Sequence, residues 1–293
     1  EVITVSASGA NAGYINYWSE KIFASDCTTI QSKDNDITKY VYYYLKAYQD
    51  EIFKLARGSA QPHVYPSDIK RFKIPEIPSM TQEKIISECD KLEEKYQKTR
   101  MKIEDYKKEI QKIFNDLEVI KSGGGYKLSD SNVFDLSIGK RVLKSELVEN
   151  GIPVYSANVF EPMGNINKYL INDFNKSYIV WGIDGDWMVN IFSQGYEFYP
   201  TDHCGVMTVD ENKINPRYMA HILEKEGQAI GFSRSHRASI DRIKSINISV
   251  PNIEIQNQEM KKVYELEEII HKLEESQIDL NKKINDVLNK YLK

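Results

Sequence analysis

Apolar residues in two segments of the chain recur at alternating intervals of four and three positions, and most positions between them are Lys, Glu, Asp or Gln. This spacing is typical of a coiled-coil seam and narrower than the apolar face of an ordinary surface helix. It predicts two long helices, each roughly 60 Å long at about 40 residues. The first seam comprises Ile85, Cys89, Leu92, Tyr96, Thr99, Ile103, Tyr106, Ile110, Ile113, Leu117 and Ile120, and the second Val263, Leu266, Ile270, Leu273, Gln277, Leu280, Ile284, Val287 and Tyr291.

Both predicted helices begin in the same way. The stretch IKRFKIPEIPSMTQEK begins at Ile69 and IKSINISVPNIEIQNQEM at Ile243, so each helix follows a short alternating strand and a proline stop. The first helix ends at residues 122–126, where three consecutive glycines predict a flexible linker. Two such helices in one chain favour an antiparallel intramolecular coiled coil, with the polar seam residue Gln277 fixing the register, although pairing in a homodimer or with a partner helix would satisfy the same pattern.

The segments that precede the helices share an order of features. Residues 177–183 and 203–209 resemble strands, and a helix is predicted near residues 216–227. The start of the chain repeats the features found around residues 202–227, namely an Asp near a Cys, a strand and then a helix. Cys27 and Cys204 are 177 positions apart, and the two stretches quoted above are 174 positions apart. A nearly constant offset indicates an internal duplication.

These patterns predict an α+β fold with two similar domains separated by the two helices. Nothing in the first domain matches the opening strands of the second, so we expect the first domain to be N-terminally incomplete. The chain is then either a truncated subunit or processed fragment, or the C-terminal part of a longer polypeptide. The predicted boundaries are 1–78 for the first domain, 79–121 for the first helix, 122–126 for the linker, 127–251 for the second domain and 252–293 for the second helix.

Composition narrows the class of protein. The chain is 41% hydrophobic, enough to bury real cores, yet it lacks a run of about 20 apolar residues and the basic, apolar start of a signal peptide. We therefore expect a cytoplasmic protein without membrane contact. Three scattered cysteines favour buried free thiols over a disulfide framework. A formal net charge of −4 argues mildly against a generic nucleic-acid binder.

The sequence contains no pattern that indicates catalysis. The stretch WGIDGDW has two aspartates but not the rest of a calcium loop, so it favours a β-turn. The stretch NPRY at Asn215 favours a helix start over a methyltransferase motif, because Arg217 follows the proline. We find no phosphate-binding loop and no nuclease-type cluster, and the five histidines are too dispersed for a metal site.

The order of the stretches YKLSDSNVFDLSIGKRV, GIPVYSAN, GSAQPHVYPSDIKRFKIPEIPSMTQEK and SRSHRASIDRIKSINISVPNIEIQNQE resembles that of the specificity subunit of type I restriction-modification enzymes. The resemblance implies two target-recognition domains, the first N-terminally incomplete, and two conserved spacer helices. It implies a non-catalytic chain that binds double-stranded DNA and two DNA adenine methyltransferase subunits, with restriction subunits in the full complex. No cofactor is expected on this chain, since S-adenosylmethionine belongs to the partner methyltransferase.

The resemblance directs attention to the polar loops that close each domain. Arginine can contact guanine bidentately, glutamine suits adenine, and hydroxyl groups can bond to bases or phosphates. Lysines nearby are better suited to phosphates, as are Arg71 and Arg242. The candidate DNA-binding residues are Arg57, Ser59, Gln61, His63, Lys70, Lys140, Arg141, Tyr155, Asn158, Ser233, Arg234, Ser235, His236, Arg237 and Lys244.

Other interpretations remain open from the sequence. The same modules occur in the recognition region of fused type II restriction-methyltransferase polypeptides. A coiled-coil scaffold whose two globular heads bind protein, with the polar loops merely solvated, would also satisfy the pattern. Recognition of a bipartite DNA site with a fixed gap distinguishes the first two interpretations from the scaffold.

Overall fold

The computed structural model describes residues 1–58 and 61–292 and has an α+β fold, as predicted. The chain divides into two compact units. Unit 1 comprises Glu1–Tyr106 and Ile269–Lys293, and unit 2 comprises Lys107–Glu268. Both long helices contribute to both units, so each unit contains one end of each helix. No helix in the described residues is long and apolar enough to cross a membrane.

Unit 1 is built on a three-stranded antiparallel sheet in the order β2-β1-β3. Helix α1 (Asn35–Ala47) is capped by Asp34, whose carboxylate accepts from the Asp36 backbone NH at 2.9 Å. Its buried tyrosines and the apolar residues of β1 form the core. The elements before the first long helix are β1 Val2–Ser6, β2 Ile15–Trp18, β3 Cys27–Ile30, α1 Asn35–Ala47, α2 Gln49–Phe53 and α3 Pro66–Ile69.

The long helices α4 (Ser79–Glu118) and α7 (Ile253–Leu292) meet in unit 1 by opposite ends. Ile85 and Cys89, near the start of α4, share a core with Ile284 and Leu288, near the end of α7. At the edge of this core, the carboxylate of Glu88 accepts hydrogen bonds from Lys290 Nζ at 3.0 Å and the hydroxyl of Tyr291 at 2.6 Å. The helices are therefore antiparallel here, as predicted.

Unit 2 contains a four-stranded sheet in the order β5-β11-β8-β9, a small sheet in the order β10-β6-β7, and the pair β12-β4. The four-stranded sheet is antiparallel throughout, and Trp181 lies fully buried in its core. Its elements are β4 Gly124–Lys127, β5 Phe134–Ile138, β6 Ile152–Tyr155, β7 Asn165–Ile166, β8 Tyr178–Gly182, β9 Val189–Phe192, β10 Tyr199–Pro200, β11 Cys204–Val209, α5 Pro216–Ile230, α6 Ile240–Lys244 and β12 Asn247–Val250.

The long helices are antiparallel in unit 2 as well. Phe114 and Leu117, near the end of α4, share the core with Met260 and Val263, near the start of α7. Leu117 and Val263 belong to the predicted seams, whereas Phe114 and Met260 do not, because the sheet and α5 widen the apolar face beyond a two-helix contact. The helices span Ser79–Glu118 and Ile253–Leu292, close to the predicted ranges.

The internal duplication is visible in the topology. Strands β1, β2 and β3 occupy the positions of β8, β9 and β11, and in both units a helix and a short helix follow before the chain reaches a long helix. The units differ at one sheet edge. In unit 2, β5 pairs with β11, but in the described part of unit 1 the corresponding strand β3 is an edge.

The predicted flexible linker at residues 122–126 needs correction. Gly124 and Gly125 begin strand β4, which pairs antiparallel with β12 through Val250 and Ser249. The Gly123 backbone NH donates to the Val250 carbonyl at 2.9 Å. Backbone pairing therefore fixes the segment, and the glycines end the helix without leaving a loose joint.

Candidate functional site

The register of the unit 2 sheet brings three loops together at one end of its strands. This row of strand ends is called the sheet edge below, and it differs from the open side of an outer strand such as β3. Gly182, the last residue of β8, lies opposite Cys204, the first residue of β11, and Ile138, the last residue of β5, lies opposite Gly205. Because these strands are antiparallel, the segments 139–141, 183–186 and 201–203 all leave the sheet at the same edge. The predicted residues Lys140 and Arg141 are exposed on the first of these loops.

Two glycines allow these loops to approach their neighbours closely. A Cβ atom at Gly139 would lie 1.9 Å from the Pro200 carbonyl oxygen, and one at Gly182 would lie 2.3 Å from the Ala157 carbonyl oxygen. Neither position can hold a larger side chain without backbone movement. Gly182 therefore places the predicted loop around Asn158 beside the loop that follows β8.

Asp184 joins two of these loops to the closing loop of the unit. Its carboxylate accepts from His203 Nδ1 at 2.8 Å and from Arg237 Nη2 at 3.2 Å. The backbone reinforces the same junction, since the Ala238 NH donates to the Ile183 carbonyl at 2.9 Å. All three side chains keep solvent access, with 26% of Asp184, 47% of His203 and 55% of Arg237 exposed. The result is a polar surface on a backbone held in place.

The closing loop of unit 2 is a tight turn. The Ser233 and His236 backbones exchange hydrogen bonds of 3.0 and 3.1 Å, and the Ser233 hydroxyl lies 3.3 Å from that of Ser235. Arg242 donates from Nη1 to the Arg237 carbonyl at 2.7 Å. This bond links Arg242 to the closing loop, and the phosphate contact expected of Arg242 stays a prediction. Arg234 is exposed at the tip of the turn.

The remaining predicted residues of unit 2 have mixed environments. Asn158 is exposed, and its side-chain oxygen accepts from the Phe160 and Glu161 backbone NH groups at 2.9 and 3.1 Å. Tyr155 is only 4% exposed and its hydroxyl lies 2.7 Å from that of Tyr196, so its side chain belongs to the core and not to the surface as expected. Lys244 is half-buried on α6.

The corresponding edge of unit 1 carries a similar arrangement. The Ser8 hydroxyl donates to the Asp26 carboxylate, and Gln61 Nε2 lies 3.4 Å from the Ser8 hydroxyl. The Arg57 and His63 backbones exchange hydrogen bonds of 2.9 and 2.8 Å, which form the closing turn of this unit. The structure thus brings Arg57, Gln61 and His63 to the sheet edge that corresponds to that of unit 2.

Arg57 has a partner that sequence reasoning missed. Its Nη2 donates to Asp68 Oδ1 at 2.5 Å, and Asp68 is fully buried. Arg71 Nη2 lies 3.7 Å from the same oxygen, so both cations neutralise a buried carboxylate. Lys70 is exposed at the end of α3. Ser59, also predicted, lies outside the described residues.

Within the described residues, the buried thiols are not reactive nucleophiles and the acidic side chains form no metal-binding cluster. Burial raises the pKa of the Cys204 thiol to about 12 and that of Cys89 to about 12, so neither is a ready nucleophile. Cys27 is half-exposed, unlike the buried thiol expected. No group of three His, Cys, Asp or Glu side chains within 1–58 and 61–292 could hold a metal ion.

Sequence reasoning missed Asp184, His203, Ser8 and Asp26. Asp184 lies in the WGIDGDW stretch, where the interpretation as a β-turn accounted for the backbone but not for the side chain. Asp26 and His203 directly precede the two cysteines that revealed the duplication. A comparison of the positions that differ between the repeats, in addition to those that match, would have found them.

Comparisons with known proteins agree with this arrangement. The family model described as "Type I restriction modification DNA specificity domain" matches residues 1–105 and 126–290. The type I restriction enzyme MpnII specificity subunit of Mycoplasma pneumoniae is 27% identical over 161 residues, which cover 53% of this chain and 48% of that protein. The chain spans about half the length of the curated relatives it matches.

Two solved structures share the fold. The S subunit of a type I restriction-modification system from M. genitalium has a TM-score of 0.59 at 19% identity, covering 99% of this chain and 82% of that one. A chain from a study of complex assembly and conformational transition of the type I R-M system has a TM-score of 0.52 at 15% identity, with coverages of 100% and 81%.

Proposed function

The chain belongs to the family of type I restriction modification DNA specificity domains, and from this membership we propose that it recognises a bipartite sequence in double-stranded DNA. Each unit reads one short half-site through the loops at its sheet edge. The chain itself performs no chemistry. Its role is to select the sequence on which partner subunits act.

The observation that carries this proposal is the repeated edge. Two units of the same topology present loops with Arg, His, Gln, Ser and Asp side chains at the same end of the same sheet. Such side chains distinguish base pairs in the major groove, where each pair shows a distinct order of donors and acceptors. Two similar reading units on one chain favour a site with two parts.

The partners follow from the family and from the charge of the chain. We propose two DNA adenine methyltransferase subunits, which hold S-adenosylmethionine, and restriction subunits in the full cytoplasmic complex. A chain with a net charge of −4 has few cations to spare for phosphates, so the partners supply many of the backbone contacts. The long helices, with their charged outer faces, are the surface we assign to methyltransferase docking.

Selection from a random DNA library tests the proposal. The chain is purified together with its methyltransferase and mixed with random duplexes, and the bound duplexes are sequenced. We expect a motif of two defined segments separated by a gap of fixed length. Methylation profiling of DNA from cells carrying both genes should return the same motif.

A protein-binding scaffold would behave differently. It would select no motif at any salt concentration, because phosphate contacts alone carry no sequence information. A single contiguous motif would contradict the assignment of one half-site to each unit. Either result would overturn the proposed function.

A further inference from the structure

The backbone hydrogen bonds at the sheet edge follow the same pattern within each unit, so residues of the two units can be matched one to one. In unit 1 the Ala7 NH donates to the Asp26 carbonyl at 2.9 Å, and the Val64 NH donates to the Ala7 carbonyl at 2.9 Å. In unit 2 the Ile183 NH donates to the His203 carbonyl at 3.0 Å, and the Ala238 NH donates to the Ile183 carbonyl at 2.9 Å. The following residues are therefore in equivalent positions: Ser8 and Asp184, Asp26 and His203, His63 and Arg237.

The side chains at the first two equivalent positions bond to each other in both units, but the donor and acceptor groups differ. In unit 1 a hydroxyl at Ser8 donates to a carboxylate at Asp26. In unit 2 the carboxylate is on the other loop, at Asp184, and accepts from His203 Nδ1 at 2.8 Å. The fold thus keeps the position of a polar pair across the sheet edge while exchanging the donor and the acceptor.

Stability does not account for such a pair. The unit 2 side chains are a quarter to a half exposed, and ion pairs with that exposure contribute little to folding. A pair kept for packing would be buried and of the same chemistry in both units. Different donors and acceptors on a common frame are instead what two readers of different base pairs require.

We propose that this pair is the specificity-determining centre of each unit, an inference that rests on the proposed function. In unit 2, Asp184 is a positioning residue. It holds His203 and Arg237 by one carboxylate, so that the remaining guanidinium donors of Arg237 face guanine O6 and N7. In unit 1, Asp26 is held by Ser8 and accepts from the amino group of cytosine or adenine.

The test compares the chain with its Asp184→Asn variant, each with its methyltransferase, in selection from a random library. Asparagine keeps the size of the side chain but loses the negative charge and one of the two acceptor oxygens that hold Arg237 and His203. We expect discrimination at one base pair of one half-site to fall about tenfold or more, while the other half-site keeps its sequence. Affinity for random duplexes should stay the same or rise, because a negative charge is removed.

Two further variants separate positioning from other roles. Asp184→Glu keeps the charge and should restore part of the lost discrimination. The double variant Asp184→Ser with His203→Asp gives unit 2 the unit 1 pair and should change the base preferred at that position. Asp173→Asn, a carboxylate 57% exposed on another loop of unit 2, is the matched control and should leave the motif unchanged.

The outcomes distinguish this inference from the proposed function. If the unchanged chain selects no bipartite motif, the proposed function fails. If it selects one and the Asp184→Asn motif is identical, the proposed function stands and the positioning role of Asp184 is overturned. Equal loss of affinity for every sequence in Asp184→Asn, together with a lowered melting temperature, would assign the residue to folding alone.

Discussion

His221 of unit 2 lies in an environment that makes the stability of the fold depend on pH. Its ring stacks on Phe114 with 3.8 Å between centroids, and its Nε2 lies 3.2 Å from Glu118 Oε1. Burial lowers the pKa of His221, with Arg217 and Lys225 acting in the same direction and Glu118 offsetting part of the effect. The fold therefore holds this imidazole neutral.

This environment predicts a loss of stability below about pH 6.5, the pKa of an unfolded histidine. The unfolded chain takes up the proton first, so acid favours unfolding, by at most about 1.4 kcal/mol per pH unit for one proton. We expect His221→Gln to flatten the free energy of unfolding between about pH 5 and pH 6.5, measured by urea titration. The same substitution at His271, whose side chain is 72% exposed, is the matched control for the change of residue type.

Glu118 adds to the acid sensitivity at lower pH. Burial acts to raise the pKa of this carboxyl, but hydrogen bonds from Lys225 and His221 outweigh it, so that the pKa lies below its usual value. Its contribution is present above the unfolded pKa of about 4.3 and disappears as the pH falls through the folded value. A curve without any change below pH 5 would contradict this assignment.

At the scale of elements, a buried glutamine ties the start of α7 to α5. Gln256 is fully buried, and its Oε1 accepts from the Asn215 NH at 2.9 Å while its Nε2 donates to the Pro251 carbonyl at 2.8 Å. Asn215 is also the cap of α5. One side chain therefore satisfies backbone groups at the junction of two helices and the preceding strand.

Gln256→Ala should be strongly destabilising for this reason. Removal of the amide deprives the part-buried Asn215 NH and the buried Pro251 carbonyl of these hydrogen bonds, and each loss costs about 1–3 kcal/mol. We expect the free energy of unfolding of the chain to fall by about 2–4 kcal/mol in denaturant titrations. Gln258, exposed on the same helix turn, is the matched control. An equal loss of stability in Gln258→Ala would show that the buried hydrogen bonds of Gln256 are not responsible.

The sequence predicted the elements well because their signals are local or repeated. The four-three spacing located both long helices within a few residues, and Asn215 followed by Pro216 located the start of α5. The linker prediction failed because three glycines describe only local backbone freedom. The pairing of Gly124 with Val250 depends on residues more than 100 positions away, which local propensity does not report.

The candidate site was predictable as a set of loops but not as a set of contacts. Closing loops with Arg234 and His63 stood out by composition. The link from Asp184 to Arg237 depends on the register of β8 and β11, which the sequence does not reveal. Tyr155 was misplaced for the same reason, since an aromatic residue in a polar stretch can face either the core or the solvent.

At the scale of the whole molecule, the units have separate cores. Apolar clusters of unit 1 include residues of β1, α1 and both long helices, whereas unit 2 has its own clusters around β8, β11 and α5. Changes to the surface of one unit should therefore leave the fold of the other unaffected.

This separation predicts independent half-sites. Arg234→Ala with Arg237→Ala should relax one half of the selected motif, and Gln61→Ala with His63→Ala should relax the other half. Removal of each side chain that bonds to a base should reduce discrimination by about 1–3 kcal/mol, and the combined variant should show the sum. Lys70→Ala removes an exposed lysine that is better suited to a phosphate and should weaken binding to all sequences alike. Loss of both halves in either double variant would contradict independence.

Within the described residues β3 has an open edge, which has a consequence for handling a protein of residues 1–293 alone. An unpaired strand edge offers backbone donors and acceptors to a neighbouring molecule, and Phe23, just ahead of this strand, is 94% exposed. We expect self-association that grows with concentration, visible by sedimentation. Thr29→Lys, which places a charge on the exposed middle of the strand, should suppress it without altering the melting temperature. Unchanged sedimentation in that variant would locate the adhesive surface elsewhere.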